Sequence, residues 1–255
     1  MFANGITLFN CANIKKLPFK GWGTYFMVVI ITGASKGIGR AVAEKFAASG
    51  NTLVLCARNF VLLQAVADEL AEKYTNSTIG VKAVDISIKE DVIAFGNWAQ
   101  QTAGIADVVI NNAAYFTGSS IHGEEDGLLD EMLATNLGGA YHLTRTLLPA
   151  MMERKSGHIF NICSVASLKG SANGGSYSIS KFALHGFTKN LLEEMKPYGI
   201  KVTGVYPGAV YTESWHGSGV QPETMIQPND IAELIYTAAQ LSPQACVEEI
   251  IIKPL

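Results

Sequence analysis

From Met27 onward, short apolar runs rich in β-branched residues alternate with longer stretches in which apolar residues return every three or four positions. The short runs are Val28 to Thr32, Thr52 to Cys56, Ile79 to Val84, Val108 to Ile110, His158 to Ile162, Lys201 to Val205 and Glu249 to Ile252, and they predict seven strands. The longer stretches are Ile38 to Ala48, Phe60 to Tyr74, Lys89 to Gln101, Leu128 to Met152, Ser176 to Met195 and Pro228 to Gln240, each periodic enough to predict a helix. Regular alternation of the two is the signature of βαβ units stacked into a parallel sheet. Several strand runs are apolar on both faces, as a sheet covered by helices on both sides requires. The expected fold class is therefore α/β, a single-domain doubly wound parallel sheet of seven strands with helices on both faces. Ligands of such sheets sit outside the carboxyl ends of the strands, where strand order reverses, so the chemistry is expected there.

No Pro/Gly-rich linker, charge run or internal repeat divides residues 27–255, which are expected to form one domain. Residues 1–26 fit none of the elements. They read as an N-terminal extension, loosely attached or preceding a natural start at Met27.

Composition narrows the function. The 255 residues are 48% hydrophobic and 16% charged, with a formal net charge of -3. Charged content below the usual ~25% implies a large core and excludes disorder. A mildly acidic chain without a Lys/Arg block has no electrostatic footprint for nucleic acid or an anionic membrane, so a small-molecule partner is expected. Cys11, Cys56, Cys163 and Cys246 lie far apart and match no zinc or redox spacing, which predicts no metal and reduced thiols in cytoplasm. The longest apolar run is far shorter than the ~20 residues that span a bilayer. Residues 1–26 have no basic head or small-residue cleavage site, and the expected location is cytoplasmic.

The first strand leads into Thr32-Gly33-Ala34-Ser35-Lys36-Gly37-Ile38-Gly39, where a helix begins. Glycines permit the turn and let a pyrophosphate approach the backbone, while the helix N-terminus offers unpaired N–H groups and partial positive charge. An ordinary Gly-rich turn has the same composition, but this one follows the first strand and opens a helix. Tyr177-Ser178-Ile179-Ser180-Lys181 places a phenol and an ammonium one turn apart on a helix. Either they are a surface pair, or the ammonium favours phenolate, lowers the Tyr177 pKa and makes it an acid or base near neutrality. Ser164 stands just beyond the fifth strand, where a hydroxyl can orient a carbonyl oxygen. Asn111-Asn112-Ala113-Ala114 ends the fourth strand, and Asn136 lies in the helical stretch after it.

From Met27 to about Leu255, the order and spacing of glycine turn, NNA strand end, Asn, Ser, YxxxK and a later Pro-Gly resemble the short-chain dehydrogenase/reductase family, in its compact TGxxxGxG branch. The resemblance implies a Rossmann-like fold and hydride transfer between a nicotinamide and a carbonyl or secondary alcohol. Tyr177 would be the general acid and base, Lys181 would bind the nicotinamide ribose and lower the tyrosine pKa, Ser164 would hold the substrate oxygen, and Asn136 would anchor a water for proton exchange. Gly33, Ser35, Lys36, Gly37, Ile38 and Gly39 would cradle the cofactor, with Asn112 and Ala113 beside them. Pro207-Gly208-Ala209-Val210-Tyr211-Thr212 is similar to the family's PGxxxT, so that Pro207, Gly208, Val210 and Thr212 would meet the nicotinamide amide. Asp85, with Ile86, matches the residue at the adenine. No metal is implied.

Charge reads the cofactor more closely. An NAD site carries an acidic side chain after the second strand, which would repel a 2′-phosphate. Here Ala57 and Arg58 stand there and Lys36 adds a cation in the turn, so the expected cofactor is NADP(H). Tyr211 and Trp215 are expected to line the substrate pocket, in a segment that also holds His216; His142 and His185 are read as structural. The ending Val247 to Pro254 and Ala114 after the Asn-Asn-Ala depart from common family patterns, the former resembling the branch with NADP-dependent 3-hydroxy acid and serine dehydrogenases. The substrate class is then a ketone, aldehyde or 3-oxo acid derivative. A catalytically silent NADP-binding regulator or scaffold is the alternative, which loss of Tyr177 or Lys181 would have favoured. Apolar helices flanking Tyr177 predict a homodimer or homotetramer.

Overall fold

The computed structural model describes residues 26–170, 172–213, 219 and 221–255. The elements follow in the order β1 (Val28–Thr32), α1 (Gly37–Ala47), β2 (Thr52–Ala57), α2 (Phe60–Lys73), β3 (Thr78–Ala83), α3 (Lys89–Ala103), β4 (Val108–Asn111), α4 (Leu128–Leu133), α5 (Gly139–Arg154), β5 (Gly157–Ile162), α6 (Gly175–Met195), β6 (Ile200–Pro207), α7 (Pro228–Ala239) and β7 (Glu249–Ile252). All seven strands are parallel, in the order β3-β2-β1-β4-β5-β6-β7. Strand order reverses between β1 and β4, which opens the crevice expected for a ligand.

The strand pleat divides the core in two. Val29 and Ile31 of β1 face a cluster completed by Phe46 of α1, Leu63 and Leu70 of α2 and Ile231 and Ile235 of α7. Ile30, between them, faces Phe95 of α3, Leu143 and Leu147 of α5 and Leu191 of α6 on the other side. Residues i and i+2 of a strand share a face, so a run apolar at every position is what both helix layers demand.

One expected helix is interrupted. The stretch from Leu128 to Met152 is α4, a π-turn at Ala134–Gly138, and α5. At the turn the Gly139 N–H reaches the Ala134 carbonyl, five residues back. Apolar spacing is almost unchanged by one such bulge, and π-turns of this kind cluster at functional sites. The expected extension at residues 1–26 lies, except for Phe26, outside the described residues. Among the described residues no helix is long and apolar enough to cross a membrane.

Candidate active site

The glycine turn begins where β1 ends. Gly33 and Gly37 have φ of 66° and 55°, the left-handed region that suits glycine. A methyl on Gly39 would overlap the Gly33 carbonyl oxygen and lie 2.5 Å from Asn112 Nδ2. The end of β4 holds this turn from below. Asn112 Nδ2 donates to the carbonyls of Thr32 (2.9 Å) and Gly33 (3.1 Å), and Thr32 Oγ1 accepts from the N–H groups of Asn112 and Ala113 (3.0 Å each). Both Asn112 amide hydrogens are thus committed to shaping the turn. Lys36, exposed, caps α1 without a side-chain hydrogen bond, and no acidic residue stands in the helix's first turn. The first N–H groups of α1 have no side-chain cap and are flanked by half-buried Ser35 and Ile38, an arrangement suited to a pyrophosphate once the Glu213 carboxylate, whose Oε2 lies 3.8 Å from where a Cβ on Gly37 would stand, turns aside.

At the far side of the crevice, Arg58 follows β2 and is exposed. Asp85 follows β3 and accepts from the Ser87 hydroxyl (2.6 Å) and N–H (3.0 Å). Those bonds and the nearby Arg58 charge hold its carboxyl below the usual range. Ile86 is buried and packs so tightly on the start of α5 that a methyl on Gly139 would come within 2.5 Å of its Cγ1.

Tyr177 and Lys181 lie in the first two turns of α6. Lys181 is 2% exposed, donates from Nζ to the Ile162 carbonyl at the end of β5 (2.8 Å), and has its pKa brought down to about 8 by burial. Tyr177 departs from expectation: burial raises its pKa, with only a hydrogen bond from Ser164 pulling it down. The Lys181 ammonium is aimed at the Ile162 carbonyl and lies 5.9 Å from the Tyr177 ring centre, so dehydration of the phenol outweighs it. In the free protein Tyr177 is held in its acid form.

Ser164, beyond β5, meets the Tyr177 side chain and also accepts from the Ala166 N–H (3.1 Å). Ser178 Oγ fastens this segment to α6 through the Ala166 carbonyl (3.2 Å). Asn136 occupies the π-turn, where its Nδ2 donates to the Tyr115 carbonyl and Ser180 Oγ (2.9 Å each) and its Oδ1 accepts from the Tyr115 N–H (2.7 Å). Ser180 in turn donates to the Tyr177 carbonyl (2.8 Å). Asn136 therefore ties the chain after β4 to the helix that bears Tyr177.

Pro207 ends β6, and the Gly208 N–H continues the sheet to the Ile252 carbonyl (2.8 Å). Val210 bridges to Ile226, and the Thr212 methyl carbon lies 3.2 Å from where a Cβ on Gly37 would stand, so this segment crosses the glycine turn. Tyr211 lines a cleft of about 320 Å³ with Gly37, Arg40, Thr212 and Asn229. This cleft adjoins the glycine turn. Trp215 and His216 lie outside the described residues. Among the described residues, Phe116 meets Tyr177, edge to face at 4.7 Å, and is 62% exposed. Its only sequence signal is its position five residues past the start of the Asn-Asn-Ala strand end.

A family model described as short chain dehydrogenase matches residues 27–222. An uncharacterized oxidoreductase of Staphylococcus aureus is 33% identical over 228 residues, 89% of this chain and 97% of the relative. A metagenomic short-chain oxidoreductase, solved in complex with NADP, superposes with a TM-score of 0.80 at 31% identity, over 91% of this chain and 99% of its own. L-sorbose reductase from Gluconobacter frateurii, solved with NADPH and L-sorbose, gives a TM-score of 0.84 at 26% identity, over 91% and 96%.

Proposed function

The chain belongs to the short-chain dehydrogenase family, and from that premise we propose that it is an NADP(H)-dependent oxidoreductase acting on a carbonyl or secondary alcohol, with Tyr177 as general acid and base. The observation that carries the reading is the Tyr177–Ser164 pair backed by a buried Lys181. Solved relatives with NADP or NADPH bound support the cofactor, as do Arg58 and Lys36 at the crevice, where guanidinium suits a phosphate dianion.

The glycine turn at Gly33–Gly39, with Arg58 at the crevice, would hold NADPH, which when bound would supply the hydride. The hydroxyls of Ser164 and Tyr177 meet, so one carbonyl oxygen set between them accepts from both and is fixed in direction. As negative charge grows on that oxygen, Tyr177 gives it the phenolic proton that burial has kept in place. Lys181, at about 8, carries charge at neutrality that offsets the phenolate left behind, yet exchanges its proton readily. Asn136 fixes α6 relative to the chain after β4 and keeps one acceptor site on Oδ1. The reverse reaction needs the phenolate first, so alcohol oxidation should rise with pH while reduction runs at neutrality.

The outer faces of α5 and α6 carry Tyr141, Leu148 and Phe187 around an open groove, which supports pairing with a second copy. The test of activity is NADPH oxidation followed at 340 nm over ketones, ketoses, 3-oxo esters and pterins. Turnover of at least one class is the expected result, and none across the panel would contradict the proposal.

A further inference from the structure

Glu124 lies in the connection from β4 to α4, just after a short 3-10 turn at Ile121–Gly123. Its carboxylate reaches the start of α6, 52 residues away. Oε1 accepts from the Ser176 N–H (2.7 Å) and from Ser119 Oγ (2.9 Å), and Oε2 accepts from Ser176 Oγ (2.5 Å). The helix needs this help, because its own N-cap residue, Gly174, offers no side chain. Gly175, with φ of 40°, makes room: a methyl there would overlap Glu124 Oε1 and stand 2.6 Å from the Ser119 carbonyl oxygen. Ser176 itself is 1% exposed. A carboxylate at the N-terminus of a helix also meets the favourable end of its dipole.

The capped turn is the one that bears Tyr177. The connection that supplies the cap also bears Phe116, whose ring lies edge-on to Tyr177. That connection is fastened to α6 at two places, by Asn136 at Tyr115 and by Glu124 at Ser176, with Phe116 between them. We propose that Glu124 is a positioning residue: by capping α6 from the neighbouring connection it fixes the direction of the Tyr177 hydroxyl and holds Phe116 as a wall beside the reacting carbonyl. The claim rests on Tyr177 being the proton donor. It also implies a substrate whose carbonyl carries an apolar or flat face, since that is what an exposed phenyl ring packed on Tyr177 favours.

Glu124→Ala and Glu124→Gln in the full chain test this. Glutamine keeps an acceptor for the Ser176 N–H and a donor for its hydroxyl, so it preserves the geometry. With the best carbonyl substrate, Glu124→Ala should lower kcat by about ten- to a hundredfold, while the NADPH dissociation constant stays within about twofold and Glu124→Gln recovers to within about threefold of the parent. Backbone amides of residues 115–119 should exchange with deuterium about tenfold faster or more in Glu124→Ala, and those of residues 33–39 should not change. A kcat unaffected by alanine, an equal loss of NADPH binding, or unchanged exchange at 115–119 would overturn the proposal. If Tyr177→Phe retains full turnover, the general-acid reading fails instead, and exchange at 115–119 still decides whether Glu124 holds Phe116 against α6.

Discussion

A lysine buried to 2% exposure inside the first turns of α6 has a cost that can be measured without any substrate. Its pKa falls from the ordinary 10.5 to about 8 because the folded protein disfavours the charged form. The unfolded chain then binds more protons than the folded one between pH 8 and 10.5, so the lysine's penalty is fully present below pH 8 and fades as pH rises through that window. At roughly 1.4 kcal/mol per tenfold change in proton affinity, the full penalty is about 3 kcal/mol, of which about 2 to 3 kcal/mol disappears between pH 7 and pH 10. Lys181→Met removes the titration while keeping much of the volume. Urea unfolding of parent and variant, both without nucleotide, at pH 7 and pH 10 gives a double difference in which the lost bond to the Ile162 carbonyl and all other titrations cancel. The parent should gain about 2 to 3 kcal/mol more than the variant over that interval. Parallel pH profiles would mean that Lys181 titrates like a solvated lysine, and its part in proton transfer would fall with that result.

Arg58→Ala should raise the Michaelis constant for NADPH about tenfold or more and leave that for NADH nearly unchanged, since only the former offers a 2′-phosphate to the guanidinium; equal effects would contradict the cofactor assignment. Gly39→Ala should weaken NADPH binding by about tenfold or more in a fluorescence titration, because the added methyl meets the Gly33 carbonyl and the Asn112 amide that shape the cradle; parental affinity would show that the turn is not the cradle. His158 is buried, with its pKa lowered to about 3 by burial, so the unfolded chain binds its proton first and stability should fall as pH drops below about 6.5. His158→Gln should flatten that acid limb, and an unchanged limb would refute the assignment. Light scattering at micromolar concentration should give at least twice the mass of one chain, falling to one chain in Leu148→Glu; a monomeric parent would refute the pairing of α5 and α6.

The seven strands and the flanking helices were legible because the sheet is buried on both faces, which leaves continuous β-branched runs such as Val28–Thr32 and periodic stretches between them. The π-turn was not, since an inserted residue between α4 and α5 shifts the apolar stripe too little to break its period. At the site, Ser164, Tyr177 and Lys181 were readable from spacing, and the structure brings them together. The direction of the Tyr177 pKa was misread because adjacency along a helix says that Lys181 is near but not that its ammonium turns to the Ile162 carbonyl, nor how dry the phenol is. Phe116 and Glu124 were invisible because their importance comes from contacts with α6 more than fifty residues away. Lone aromatics and carboxylates on a connection have no pattern to betray them.

The central claim is that the Tyr177 hydroxyl delivers the proton to the carbonyl oxygen. Tyr177→Phe deletes that one oxygen and leaves the ring, its edge contact with Phe116 and the cofactor cradle in place. With saturating NADPH and the best carbonyl substrate, the account predicts a loss in kcat of about a thousandfold, together with an NADPH dissociation constant within about twofold of the parent. A variant that binds NADPH normally and turns over at more than about a tenth of the parental rate would contradict it.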